Sequence, residues 1–66
     1  MNLKWVDVQE IAILLNARNP DLNPYSINFV VLRDMVMSLS EFEDEKNRSS
    51  EKILEAIQIA WQEEHD

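Results

Sequence analysis

Apolar positions recur at helical spacing in three stretches of the chain. In the first, "WVDVQEIAILLNARNP", Val8, Ile11, Leu14 and Leu15 fall on one face, the stripe a helix turns toward a core. Asp7 and Glu10 have the spacing of a capping box, with Asp in place of Ser or Thr. Asp7 would accept from the amides of the first turn, and Glu10 would reach back to the Asp7 amide. Val6 and Ile11 stand at the hydrophobic-staple positions. The pattern predicts a helix over Val8–Arg18 that stops before Pro20.

The second stretch, "VLRDMVMSL", repeats Leu32, Met35, Val36 and Leu39 at i, i+3, i+4, i+7. It predicts a helix over Val31–Ser40 with no obvious N-cap. Between the two lies "NPDLNPYS", a loop in which Asn23 and Pro24 can cap and open a single helical turn. Ile27, Phe29 and Val31 then alternate with Ser26, Asn28 and Val30, which predicts a short extended piece. The third stretch places Ile53, Leu54, Ile57, Ala60 and Trp61 on one face. Ser49 or Ser50 caps it, Glu51 lies in its first turn, and it reaches Glu64. The expected fold is mainly α: a single domain over 1–66, three helices in a helix-turn-helix-related arrangement, with at most a short extended segment.

Composition narrows the class. The chain has 66 residues and no glycine, so Asn-Gly hairpins are excluded and an all-β fold is disfavoured. Without cysteine there is no disulfide, no thiolate ligand and no thiol nucleophile. A single histidine, His65, leaves no triad and no His-rich metal site. Hydrophobic residues make up 45%, too many for a chain disordered by charge. No apolar run approaches 18 residues and no basic n-region precedes an h-region, so a soluble cytoplasmic protein is expected. Trp5 and Trp61 are expected in the core, because a domain this small needs its large aromatics inside.

Thirteen acids face six bases, a net charge of −7. That repels a phosphate backbone and favours a basic protein surface or a cation. A DNA-reading helix would need outward bases. Arg33 stands beside Asp34, and Lys52 among Glu51, Glu55, Glu63 and Glu64. An enzyme is equally disfavoured.

The charge concentrates in "SLSEFEDEKN", where Glu41, Glu43, Asp44 and Glu45 surround Phe42. Acids beyond a helix C-terminus cost about 0.3–1 kcal/mol each. Glu41 and Glu45, if helical, repel by about 0.2–0.5 kcal/mol. A stability-driven sequence would place Lys or Arg here. The plain reading is a solubilising surface; the functional one is an electrostatic dock or a weak cation site. Carboxylates alone suit Mg²⁺, Ca²⁺, Mn²⁺ or Fe²⁺ with low affinity, and the run lacks the EF-hand pattern. Phe42 follows Leu39 by three residues and Met35 by seven, so it can extend the second helix's stripe and anchor the run.

These residues together resemble the IscX proteins of bacterial iron–sulfur cluster assembly. The resemblance covers nearly the whole chain: "LKW-D--EIA" at Leu3–Ala12, "NPDLNP" at Asn19–Pro24, "INF" at Ile27–Phe29, "EFEDE" at Glu41–Glu45 and "SEKILEAIQIAW" at Ser50–Trp61. It implies a winged-helix-like, non-catalytic, monomeric protein that docks on a cysteine desulfurase through acids. Ferrous iron would bind weakly, a site would be shared or contested with the bacterial frataxin homologue, and a ferredoxin is a further partner. Carried over by position, the partner-binding residues are Asp7, Glu10, Asp21, Glu43, Asp44 and Glu45; the acidic run adds Glu41, and Glu41, Glu43, Asp44 and Glu45 are the expected weak iron ligands. The chain departs from the family pattern in three places. Asn23 replaces an acid, two Asp of the run are Glu, and Val30–Val31 replace a Thr-Asp pair.

Overall fold

The computed structural model describes residues 2–66. It contains α1 (Val8–Arg18), α2 (Phe29–Met37), a 3-10 turn at Lys46–Arg48 and α3 (Glu51–His65). The mainly helical, three-helix expectation therefore holds. Among the described residues there is no strand, only an isolated parallel bridge between Leu3 and Phe42. No described helix is long and apolar enough to cross a membrane.

One core joins all parts of the chain. α1 packs chiefly on α3, and α2 leans on both. Ile11 and Leu15 of α1, Leu32 and Val36 of α2, and Ile57 and Trp61 of α3 are fully buried, and Trp5 is 1% exposed. Both tryptophans thus serve the core, where each large apolar side chain contributes roughly 1.5–3 kcal/mol.

α1 has its expected bounds but not its expected start. Asp7 occupies the N-cap position without a side-chain capping bond. Its Oδ2 instead accepts from the Lys4 amide at 2.8 Å. Its own amide donates to the Lys4 carbonyl at 2.9 Å, so Glu10 has no Asp7 donor to receive. Val6 is 77% exposed, which removes the staple. The capping box and staple are therefore corrected: the turn that carries Trp5 into the core folds the Asp7 carboxylate backward. At the other end, the backbone and side-chain amides of Asn19 both donate to the Leu15 carbonyl. Asparagine thus closes a helix in a chain without glycine.

The loop before α2 forms the expected turn. Asn23 Oδ1 accepts from the Tyr25 amide at 2.9 Å, and the Asn23 carbonyl from the Ser26 amide. Gln58 of α3 fixes this loop by donating to the Pro24 and Ile27 carbonyls, each at 2.9 Å. The extended piece is corrected, because Phe29, Val30 and Val31 are the first turn of α2. Asn28 Oδ1 accepts from the Val31 amide at 2.9 Å, so Asn28 is the missing N-cap. Ile27 and Leu32 hold the staple positions and both join the core. α2 ends at Met37 rather than Ser40, and Leu39 enters the core from the following turn. At α3 the cap is Ser50, whose Oγ accepts from the Ile53 amide.

Candidate functional site

The acidic run is neither helix nor loose loop. It is strapped to the segment before α1. The Leu3 amide donates to the Glu41 carbonyl, and the Glu43 amide to the Leu3 carbonyl, both at 2.8 Å. The Lys4 ammonium donates to the Glu43 carbonyl. The Trp5 amide donates to Asp44 Oδ2 at 3.1 Å, and the Trp5 indole N–H to the Glu45 carbonyl at 2.7 Å.

Phe42 secures the same strap by packing. It is 9% exposed, and its ring meets Trp5 edge-on with centroids 4.7 Å apart. The anchor role expected of Phe42 stands, but not the expected geometry. Phe42 lies in the bridge to Leu3, beyond the end of α2, and does not continue a helical stripe.

Along this course Phe42 and Asp44 alternate with Glu43 and Glu45. Phe42 is buried and Asp44 largely covered, while Glu43 and Glu45 are exposed. The Asp44 side chain is 8% exposed. It accepts from the Trp5 and Glu45 amides, which hold its pKa below the usual range, and Arg48 Nε stands 3.8 Å away. Glu41 forms a two-pronged pair with Arg18 of α1 and also accepts from the Ser40 hydroxyl. The Arg18 guanidinium is the main reason its pKa falls to about 2. Two acids of the run are thus spent on structure, and two are displayed.

The remaining candidate residues are dispersed. Asp7 is half-buried over Lys4, and Glu10 and Asp21 are exposed on α1 and in the turn after it. Glu10 and Glu41 flank a small depression floored by Leu3, Ile13 and Leu14. Among the described residues no three Asp, Glu or His side chains gather closely enough to hold a metal ion. With Glu41 and Asp44 already engaged, the four carboxylates as disposed do not fit a shared ion.

Sequence reasoning missed three cationic neighbours of the run. Lys4 and Arg48 share a shallow depression with Glu43, Asp44 and Glu45, so the run is an acidic edge bracketed by cations. Arg18 neutralises Glu41. None of these pairings has a local spacing signal except Asp44–Arg48, which is i, i+4. The outward pair Glu43 and Glu45 did have one, the polar–apolar alternation around Phe42.

Residues 3–66 match the family described as iron-sulphur cluster assembly. A Pseudomonas aeruginosa protein described as uncharacterized is 56% identical over 66 residues, across the full length of both chains. With the family pattern spanning nearly every residue that builds the core and the strapped acidic edge, the chain belongs to the iron–sulphur cluster assembly family of IscX proteins.

Proposed function

We propose that the protein is a non-catalytic cytoplasmic adaptor of iron–sulfur cluster assembly that docks as a monomer on a basic surface of the cysteine desulfurase. One observation carries this reading beyond family membership. Glu43 and Glu45 are exposed on a backbone tied to Leu3, Lys4 and Trp5 by four hydrogen bonds, with a fifth from the Trp5 amide to the Asp44 carboxylate. Side chains presented from a fixed backbone lose less entropy on binding than those of a mobile loop. Glu10 and Asp21 extend the same sign of charge. The winged-helix likeness belongs to this proposal too, with the Leu3–Phe42 bridge in place of a wing. Ferrous iron enters only as a weak ligand of the outward Glu43 and Glu45. A role as iron donor to the machinery, the alternative, requires binding that survives competing Mg²⁺.

Association with the desulfurase, followed by stopped flow, tests the dock. The rate should fall about tenfold or more between low and high ionic strength. Glu43→Lys with Glu45→Lys should slow it further at low salt. A rate indifferent to salt and to both reversals would sink the proposal. Repeating the measurement with the frataxin homologue present shows whether the two contest one surface.

A further inference from the structure

Beside the acidic edge lies a feature of different chemistry. Leu3, Ile13 and Leu14 floor a depression whose rims are Glu10 and Glu41. Leu3 is buried at 2% exposure, but Ile13 on α1 is 45% exposed. A branched aliphatic side chain is left half in water in a depression that two carboxylates also line. The rims differ in their partners: Glu41 is held by Arg18 and Ser40, while Glu10 is exposed on the helix surface.

From this juxtaposition we infer that the Leu3–Ile13–Leu14 depression is the anchor pocket for one arginine side chain of a protein partner. An arginine has an apolar stem and a planar, weakly hydrated cationic head. The stem covers the Ile13 and Leu14 side chains and takes them out of water. The head reaches Glu10, which accepts it with two oxygens, and the acceptor site of Glu41 that Arg18 and Ser40 leave open. A carboxylate has about four acceptor sites; Arg18 takes two and the Ser40 hydroxyl a third, which leaves about one on Glu41. A purely apolar partner residue would strand Glu10 over a greasy contact, and an acidic one would be repelled by Glu10, the rim that no described cation pairs with. Lysine offers one compact, strongly hydrated charge and suits the two-sided rim less well. The inference rests on the docking reading and sharpens it. The outward Glu43 and Glu45 set the approach, and the pocket supplies the contact that resists dissociation.

The test uses the full 66-residue chain with two probes, acetyl-arginine amide and its uncharged citrulline counterpart, read by methyl and amide NMR shifts. The arginine probe should move the Ile13 and Leu14 signals, with half-saturation in the millimolar range, as befits a single weak contact. Citrulline should bind about tenfold more weakly. Ile13→Ser alters an exposed position and spares the core. It and Glu10→Gln should each weaken arginine binding about fivefold, while Glu43→Lys with Glu45→Lys changes it less than about twofold. Shifts centred on Glu43–Glu45, equal binding of citrulline, or indifference to both Ile13→Ser and Glu10→Gln would each overturn the pocket. None of those results touches the salt dependence of desulfurase association, so the two readings fail separately.

Discussion

At Phe42 and Asp44 single side chains decide whether the acidic edge has a shape. Phe42 packs edge-on against Trp5, and Asp44 takes the Trp5 and Glu45 amides. Phe42→Ala would remove about 3–5 kcal/mol. A domain of this length has only about 3–10 kcal/mol in all, so that variant confuses unfolding with loosening. Phe42→Leu is the sharper probe. It keeps an apolar plug but loses the ring pair, and should cost about 1–1.5 kcal/mol. Urea unfolding measures that cost. Amide exchange at Glu43, whose N–H donates to the Leu3 carbonyl, should accelerate more than exchange within α3. Exchange that rises equally everywhere would mean that Phe42 supports the core but not the edge.

Among the elements, the caps show which interactions set the helix starts. Asn28 and Ser50 each accept an amide from three residues on, so Asn28→Ala and Ser50→Ala should each cost about 1 kcal/mol. For a domain this small that is a fall of about 4–8 °C in Tm. Scanning calorimetry of the two variants checks it, and an unchanged Tm for Asn28→Ala would deny it the cap. The contrast between α1 and α2 explains what was legible. α1 and α3 have long periodic stripes, and their bounds follow from those stripes. Ser26–Val31 fits a strand period as well as a helix entry. Only the capping bond of Asn28, a geometric fact, resolves it. Asp7 and Glu10 fail the other way. Their spacing is a capping box, yet Trp5 is drawn inward and reorients the Asp7 carboxylate toward Lys4. The strap itself joins residues 39 apart in sequence, a separation at which local spacing carries no information. The acidic run was legible as a candidate surface from its composition. The outward placement of Glu43 and Glu45 follows from the alternation around Phe42, but the engagement of Glu41 by Arg18 and of Asp44 by Trp5 does not, because those partners are distant in sequence.

For the molecule as a whole, charge acts in two opposed ways as pH falls. At neutral pH thirteen acids against six bases leave −7, and self-repulsion weakens the compact state. Protonation relieves this, so with no carboxylate latched the protein would hold or gain stability on acidification. Glu41 and Asp44 reverse the trend. Glu41 in the folded protein titrates at about 2, against an ordinary 4.5, chiefly because Arg18 holds it. Asp44 is lowered from an ordinary 3.8 by the Trp5 and Glu45 amides. The unfolded chain therefore binds these protons first. The stability owed to the latches is complete above about pH 4.5 and is lost as pH falls toward 2. Urea midpoints should vary little from pH 7 to 5 and then drop. Glu41→Gln should flatten the drop, and Arg18→Gln should flatten most of it, since the Ser40 hydroxyl and a backbone hydrogen bond still lower the Glu41 carboxyl. The Asp44 share, referred to the Trp5 and Glu45 amides, should persist in both as a shallower fall at lower pH. If wild type and Glu41→Gln decline in parallel, the Arg18–Glu41 pair is a surface ion pair of no consequence. The edge would then be held by the Leu3–Trp5 strap alone. If only Arg18→Gln flattens the curve, Arg18 acts on some acid other than Glu41.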